Sequence, residues 1–187
     1  MSTPLSYTIV DIVGSPFLAV WRPEDDAVCA AGFLAVPDQT RDEPHPDVAA
    51  DPLWDRLIAS DPGLAARGLA QLPETAGAVP DALRAYAGGD LTALDAITVS
   101  QRETPFRGEV WRALRKVQAG DAVTYTKLAA LAGRPGAVRA AASGCATNLV
   151  AVIVPCHRIV RADGGVGKYL FGSAIKQRLL DHEGAIA

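Results

Sequence analysis

The stretch YTKLAALAGRPGAVRAAASGCATN, from Tyr125 to Asn148, contains two short helical patterns with a turn between them. Arg134-Pro135-Gly136 interrupts the helical pattern, and two helices joined by such a short turn predict a helix-turn-helix. The second helix carries small side chains around one large basic side chain, Arg139. A slim helix can approach a narrow DNA groove closely, whereas a helix that reads the major groove usually carries several long polar side chains. Helix pairs of this kind also serve as scaffold in many proteins, so a purely structural role stays open.

The apolar run from Val150 to Val154 leads directly into Pro155, Cys156 and His157. Such a continuous run is typical of a strand buried on both faces, and proline cannot donate to a strand ladder. We therefore expect the strand to end at Pro155, with Cys156 at its tip. Neighbours on a strand point in opposite directions, so only a turn could bring His157 near the thiol, directly or through a water. Because an adjacent base can activate a thiol, the stretch predicts a reactive Cys156.

The last predicted helix begins at Ser173 and ends at His182-Glu183-Gly184. The helix macrodipole disfavours a carboxylate at this end, which indicates that Glu183 is needed there for another reason. A nucleophile and its base commonly need a third group that orients the base, and Glu183 is the candidate. A solvated glutamate at a helix end is the simpler alternative.

The chain before this region divides into a helical segment and an α/β segment. Thr104-Pro105 predicts a helix with a hydroxyl N-cap and proline in its first turn, and the apolar face of that helix consists of Phe106, Val110, Leu114 and Val117. Further upstream, the patterns predict strands from Leu5 to Phe33, with turns at Gly14-Ser15-Pro16 and at 23–26. A loop is predicted from Pro37 to Pro52. Helices are predicted around Leu53, after Pro62-Gly63 and from Pro80 to Gly89. The predicted fold class is α/β, with a small α/β domain over residues 1–98 and a mainly helical domain over residues 99–187.

Composition and charge narrow the class of protein. Among the 187 residues, no apolar run approaches the roughly 18 that a membrane span needs, and the first residues lack the basic region of a secretory signal. We therefore expect a cytoplasmic protein. Cys29, Cys145 and Cys156 have no spacing typical of a disulfide framework or a zinc site, so no metal is expected. Residues 1–100 carry a net charge of −10 and residues 101–187 one of +7, and the basic half could bind a polyanion.

The carboxy-terminal half resembles a known family through Tyr125, Arg139, Asn148, Pro155-Cys156-His157-Arg158, Tyr169 and His182-Glu183-Gly184. These residues stand in the order and spacing of the O6-alkylguanine-DNA alkyltransferases. The segments 137–148 and 160–164 are particularly similar to the alkyltransferase domain of the bacterial adaptive-response protein. The resemblance is strong over residues 104–184 and weak before them. It implies a ribonuclease H-like amino-terminal domain and a winged-helix-like carboxy-terminal domain with the helix-turn-helix.

The resemblance also implies a function, which is direct-reversal DNA repair with flipping of the damaged base. The protein would transfer a methyl or larger alkyl group from O6 of guanine, with O4 of thymine as an open alternative, to its own Cys156 in a single irreversible turnover. No cofactor is implied, and the partner is double-stranded DNA that contains alkylated guanine, bound by a monomer.

Site roles follow from the same resemblance. His157 would act as a water-assisted base oriented by Glu183, Asn148 would brace the cysteine segment, and Arg139 would fill the gap left in the duplex. Tyr125 would lie against the 3′ phosphate and donate towards the guanine oxygen. The remaining implied residues are Ala137 and Ala140 on the DNA-binding face, and Tyr169, Ile159 and Cys145 in the substrate pocket. Independently of the resemblance, Cys29 and Cys145 are expected to be structural thiols, with an accessible Cys145 as the open alternative because it lies on the helix expected to face DNA.

Some residues depart from the family pattern, among them Gln118, near which relatives often have a proline, and two rival functions remain. Leu149 replaces a proline common after the asparagine, Arg107 stands where glutamine is frequent, and Leu170-Phe171 follows Tyr169 in place of glycine or serine. One rival is a cysteine hydrolase that uses Cys156, His157 and Glu183 as a triad, although no oxyanion-forming glycine signature precedes the cysteine. The other is a binding protein without catalysis, either a helix-turn-helix regulator or a damage sensor related to the alkyltransferases.

Overall fold

A computed structural model describes residues 3–34, 48–73 and 77–185 of the chain, which forms two compact units, Met1–Arg102 and Glu103–Ala187. The amino-terminal unit contains β1 (Leu5–Ile12), β2 (Ser15–Trp21), β3 (Val28–Phe33), a short 3-10 helix (Val48–Ala50), α1 (Pro52–Ser60), α2 (Pro62–Ala65), β4 (Leu69–Gln71) and α3 (Ala78–Ala87). Its four strands form one sheet in the order β3-β2-β1-β4. The pairs β1–β2 and β2–β3 are antiparallel, whereas β1 and β4 are parallel. The chain is thus a mixed α/β protein, as its sequence predicts.

The first hairpin shows how local residue choice sets this sheet. Val13 and Gly14 both have positive φ, 50° and 73°, which is the conformation that a two-residue hairpin turn requires. Gly14 N donates to Asp11 Oδ1 at 2.9 Å and closes the turn. The sequence predicts this turn slightly late, because Ser15 and Pro16 already belong to β2.

The amino-terminal unit extends beyond the predicted boundary at residue 98. Val28 N donates to Thr98 O and Ser100 N donates to Val28 O, so the connecting segment pairs with β3 before it leaves the unit. Its core forms between the sheet and α1, with Leu5, Leu18, Val20, Cys29, Leu53, Trp54 and Leu57 among its buried members. The loop predicted from Pro37 to Pro52 lies outside the described residues as far as residue 47.

The carboxy-terminal unit contains α4 (Pro105–Leu114), β5 (Val123–Thr124), α5 (Tyr125–Leu131), α6 (Val138–Ala146), a 3-10 helix (Cys156–Arg158), β6 (Ile159–Val160) and α7 (Ser173–His182). The predicted helix-turn-helix corresponds to α5 and α6, which both pack against α4. Trp111 of α4 donates from Nε1 to Gly144 O of α6 at 2.9 Å. The short strands β5 and β6 pair in parallel. Thr104 stands at the N-cap of α4 as predicted, but its hydroxyl makes no capping bond.

The predicted strand from Val150 to Val154 is wrong, because these residues form a buried turn. Val154 N donates to Val150 O at 2.9 Å, and Val152 has a positive φ of 66°. The side chain of Asn148 stabilises the turn, since its Oδ1 accepts from Val150 N and its Nδ2 donates to Val154 O. The apolar run therefore reflects complete burial rather than an extended backbone. Cys156 begins a 3-10 helix after this turn and does not lie at the tip of a strand.

Candidate active site

Cys156 follows the buried turn directly, and the same asparagine that stabilises the turn also contacts the thiol. Asn148 Nδ2 lies 3.3 Å from Cys156 Sγ and 2.9 Å from Val154 O. An amide N–H that donates to sulfur favours the thiolate over the thiol. Cys156 is only partly buried, whereas Asn148 is 4% exposed. The turn therefore holds a reactive group at a surface while it keeps the supporting amide inside.

His157 points away from the surface and into a buried cluster with Glu183 and Arg158. His157 Nε2 lies 3.0 Å from Glu183 Oε1. Arg158 binds both oxygens of the same carboxylate, from Nη2 to Oε1 at 2.8 Å and from Nε to Oε2 at 2.9 Å. Arg158 Nη1 also donates to Val117 O. Because an ionised carboxylate can only accept, Nε2 of His157 carries the proton and Nδ1 carries a lone pair.

The electrostatics of this cluster favour a neutral imidazole. Burial lowers the pKa of His157, because the charged ring loses its hydration. The positive charges of Arg158 and Lys176 lower this pKa further, whereas Glu183 raises it. Burial alone would raise the pKa of Glu183, but the hydrogen bonds from His157 and Arg158 prevail and hold it below its usual range. Nδ1 of His157 is buried and has no hydrogen-bond partner among the described residues. The site therefore presents a basic lone pair one residue away from the thiol.

A pocket of about 250 Å³ opens in front of Cys156. Its lining is made of Tyr125, Ala142, Cys145, Ala146, Asn148, Ala151, Cys156, Lys168, Tyr169, Leu170 and Phe171. The rings of Tyr169 and Phe171 meet edge to face, with centroids 5.4 Å apart. Burial raises the pKa of Tyr125, which keeps its hydroxyl protonated as a donor. The pocket thus combines an apolar wall, a phenol and a nucleophile.

The structure brings most of the predicted site residues to this place, but not all. Tyr125, Cys145, Asn148 and Tyr169 line the pocket with Cys156. Ile159 does not, because it lies in β6 with no exposed surface. Three residues predicted to contact DNA lie along α6 or at its start: Arg139 and Ala140 are exposed, and Ala137 is half-buried.

Two functional candidates escape the sequence-based prediction. Arg158 is part of the motif that carries the family resemblance, yet the sequence alone assigns it no contact. Lys176 is 1% exposed and donates from Nζ to Ile159 O. The sequence could have marked Lys176 as unusual, because this lysine lies on the apolar face of α7 with Leu179 and Leu180.

The described residues also limit other kinds of site. Across residues 3–34, 48–73 and 77–185, no group of three or more His, Cys, Asp or Glu side chains could hold a metal ion. Within the same ranges, no helix has the length and apolar character to cross a membrane.

Cys29 lies buried in β3, and its Sγ lies 3.3 Å from Val20 O. Burial raises its pKa to about 12, so this thiol is inert at neutral pH.

Comparison with known proteins connects this geometry to a family. Residues 105–185 match the family model described as the DNA-binding domain of 6-O-methylguanine DNA methyltransferase. A methylated-DNA–protein-cysteine methyltransferase of Salmonella typhimurium is 40% identical over 108 residues, which cover 58% of this chain and 63% of that relative. The bifunctional transcriptional activator/DNA repair enzyme Ada of Escherichia coli is 49% identical over 82 residues, 44% of this chain and 23% of that protein.

The fold agrees with these matches over a longer part of the chain. A crystal structure of Mycobacterium tuberculosis OGT in complex with DNA superposes with a TM-score of 0.69 at 26% identity, and the match covers 97% of this chain and 96% of that one. The chain spans less than two thirds of the length of the Salmonella relative. Residues 105–185 are therefore similar to the DNA-binding domain of the 6-O-methylguanine DNA methyltransferase family.

Proposed function

We propose that this protein repairs alkylated DNA by transferring an alkyl group from O6 of guanine to its own Cys156. The observation that carries the proposal is the position of the thiol, which borders a pocket with Asn148 donating to its sulfur. The related proteins named methylated-DNA–protein-cysteine methyltransferase support the assignment through the segment that contains this site. Activity on alkylated thymine is a further possibility for the same pocket.

The chemistry requires a proton to leave the thiol before displacement. His157 Nδ1 accepts this proton through a water, because its Nε2 is held by Glu183 and Nδ1 has no partner among the described residues. The Cys156 sulfur then attacks the alkyl carbon, the S–C bond forms and the C–O6 bond breaks. Tyr125 is the donor available to the departing guanine oxygen, because its hydroxyl stays protonated in the pocket.

The reaction ends with a thioether that contains no good leaving group. A second turnover would need cleavage of the S–C bond with the Cys156 thiolate as leaving group, and an uncharged thioether does not release a thiolate from an alkyl carbon under mild conditions. We therefore infer one transfer per protein molecule, with no cofactor.

DNA binding is assigned to α5 and α6 of the basic carboxy-terminal unit. A base inside a duplex cannot reach a pocket, so it must rotate out of the stack, and Arg139 on the exposed face of α6 would enter the vacated space. Ala137 and Ala140 have small side chains that permit close approach of this helix to a minor groove. The similar Mycobacterium tuberculosis OGT, whose crystal structure is a complex with DNA, supports DNA as the partner.

Finer features of the fold fit the same proposal. The sheet order β3-β2-β1-β4, with β4 parallel to β1, supports a ribonuclease H-like amino-terminal domain. The helix pair α5–α6 beside the small β5–β6 sheet supports a winged-helix-like carboxy-terminal domain that binds DNA and accepts the alkyl group. We further propose that the protein acts as a monomer in the cytoplasm.

The proposal is tested by intact-mass spectrometry after incubation with a duplex that contains one O6-methylguanine. We expect a single added methyl group on the peptide that carries Cys156, which saturates at one per protein. Cys156→Ala should bind the duplex and gain no methyl group. Arg139→Ala should transfer more slowly from duplex DNA than wild type, yet react at the wild-type rate with the free alkylated base, because only the duplex needs its gap filled.

Each rival function predicts a different result in this experiment. A damage sensor binds the lesion tightly and shows no change in mass. A cysteine hydrolase turns over an ester or peptide repeatedly, without stoichiometric modification of Cys156. Methyl transfer that persists in Cys156→Ala would exclude the assigned nucleophile.

A further inference from the structure

The pocket that contains Cys156 contains a second thiol, Cys145 of α6. Both cysteines are partly exposed reduced thiols, and both face the same opening to solvent. The proposed alkyl transfer uses only Cys156. The third cysteine, Cys29, lies in the core of the amino-terminal unit. A reagent that enters the pocket therefore meets two thiols together.

Asn148 links the two cysteines through one residue. Its backbone N donates to Cys145 O at 3.3 Å, and its side-chain Nδ2 lies 3.3 Å from Cys156 Sγ. Both thiols also interact electrostatically with the same two side chains, Tyr125 and Lys176. Two cysteines that share an asparagine, a phenol, a lysine and a pocket lie near each other in space.

We propose that Cys145 and Cys156 form an intramolecular disulfide when a hydroperoxide enters the pocket. In the first step, the Cys156 sulfur attacks the terminal peroxide oxygen, the O–O bond breaks, and sulfenic acid and water or an alcohol result. In the second step, the Cys145 sulfur attacks the Cys156 sulfur, an S–S bond forms, and the hydroxyl group leaves as water. The hydroperoxide is reduced and the two thiols are oxidised.

Loss of the negative charge on Cys156 in the first step favours the attack by Cys145 in the second step. Burial raises the pKa of Cys145, and the negative charge of Cys156 raises it further, whereas Lys176 lowers it. Sulfenic acid formation removes the charge of the Cys156 thiolate and thereby one cause of this increase. Lys176 remains, buried and donating to Ile159 O. Oxidation of one thiol therefore makes its neighbour a better nucleophile.

The disulfide has a consequence that rests on the proposed alkyl transfer. A Cys156 sulfur bonded to Cys145 cannot accept an alkyl group, but a dithiol can reduce it. Without a neighbouring thiol, the sulfenic acid would proceed to the sulfinic acid, which a dithiol does not reverse. Cys145 would thus preserve a protein that can act only once.

The experiment uses the full chain, reduced and then treated with a small molar excess of hydrogen peroxide, before the remaining thiols are blocked with a maleimide in denaturant. Trypsin cleaves after Arg139 and Arg158, so residues 140–158 form one peptide that carries both thiols. We expect this peptide to lose two hydrogen atoms and bind no maleimide. Because the protein is unfolded during the blocking step, the peptide that contains Cys29 should be fully blocked and serves as the internal control.

Three variants test the role of Cys145. In Cys145→Ala and Cys145→Ser, Cys156 should gain two oxygen atoms and fail to recover with dithiothreitol, whereas Cys29→Ala should form the disulfide as wild type does. The proposal is overturned if wild-type Cys156 becomes sulfinic acid while Cys145 still binds maleimide. This mapping needs no DNA, so a reduced protein that fails to transfer methyl groups would refute the repair function and leave the disulfide intact.

Discussion

Glu183 binds two neighbours whose charges have different consequences for the candidate reaction. Its carboxylate accepts from His157 Nε2, which leaves the lone pair at Nδ1, and from two nitrogens of Arg158. All three side chains are buried, so each charge must be compensated locally. Arg158 keeps Glu183 ionised and at the same time disfavours a second proton on His157. The guanidinium is therefore a positioning group that acts on the thiol through the imidazole.

This arrangement predicts that Arg158→Gln shifts the pH dependence of alkyl transfer. The positive charge of Arg158 contributes to the low pKa of His157, so its removal raises that pKa. More His157 then carries two protons at a given acidic pH, and the acidic limb of the rate profile moves to higher pH. The measurement is the single-turnover rate of methyl transfer to Cys156 across the acidic and neutral range.

Stability changes must be separated from this effect. Removal of one partner from a buried ion pair costs about 3–5 kcal/mol, so the rates are compared only at temperatures where the variant stays folded. Arg158→Lys keeps the charge and should keep the acidic limb near its wild-type position. Arg161→Gln, which breaks an exposed pair with Asp163, should change nothing. An unshifted limb in a folded Arg158→Gln variant would contradict the positioning role.

The sequence predicts a functional role for Glu183 but not its contacts with Arg158. The conflict between a carboxylate and a helix C-terminus marks Glu183 as unusual, and the structure shows why it is there. The two bonds from Arg158 depend on how α7 packs against the 3-10 helix that begins at Cys156, and no local pattern encodes that packing. Residue identity thus predicts which groups are chemically unusual, and tertiary contacts decide their partners.

At the scale of elements, α6 carries mostly small side chains on both its outer and its inner face. Its outer face carries Arg139 and Ala140, whereas Gly144 on the inner face contacts α4. A Cβ at Gly144 would lie 2.8 Å from Val110 Cγ1 and 3.2 Å from Val110 Cβ. The glycine also supplies the carbonyl that accepts from Trp111. The packing of α6 on α4 therefore requires glycine at this position.

We predict that Gly144→Ala destabilises the carboxy-terminal unit. Alanine improves helix propensity by about 0.5–1 kcal/mol, but overpacking of a core typically costs about 1–3 kcal/mol, so the net change is a loss of about 1 kcal/mol. Urea unfolding measures it. In a protein that already carries Val110→Ala, the substitution Gly144→Ala should cost less stability than it does in wild type, because the contacting side chain is smaller. Ser143→Ala, on the exposed face of α6, should have little effect on stability. Equal stability of Gly144→Ala and wild type would show that α4 and α6 separate without cost.

Elements differ in how well sequence predicts them, and the reason is physical. The helices α5 and α6 are predictable because glycine and proline interrupt a clear helical period. The segment from Val150 to Val154 is not, since uniform burial erases any period, and only the side chain of Asn148 identifies the turn. The parallel pair β5–β6 also escapes prediction, because each strand has two residues and its partner lies far along the chain.

At the scale of the whole molecule, acidic and basic residues separate along the chain. Residues 1–100 hold five Lys and Arg against 15 Asp and Glu, and residues 101–187 hold 13 against six. The candidate site and α6 both belong to the basic part. Composition therefore predicts which unit could approach a polyanion, although the family match was needed to identify which polyanion to propose.

The buried ionisable groups predict that acid destabilises the carboxy-terminal unit. His157 and Glu183 both have a lower pKa in the folded protein than their ordinary values of 6.5 and 4.5. The unfolded chain therefore binds more protons in acid, and the free energy of unfolding decreases as pH falls below 6.5 and again below 4.5. A difference of one proton corresponds to about 1.4 kcal/mol per pH unit.

Pulse proteolysis in urea can measure this loss, with the surviving fragments identified by mass so that each unit is followed separately. Between about pH 7.5 and about pH 5.5, we expect the carboxy-terminal unit to lose about 1 kcal/mol through His157. His157→Gln, which cannot titrate, should remove the part of the loss that begins below 6.5 and keep the part that begins below 4.5. If the variant and wild type lose stability equally near pH 6, then folding does not lower the pKa of His157. That result would contradict the argument that the buried cluster favours a neutral imidazole as the base for Cys156.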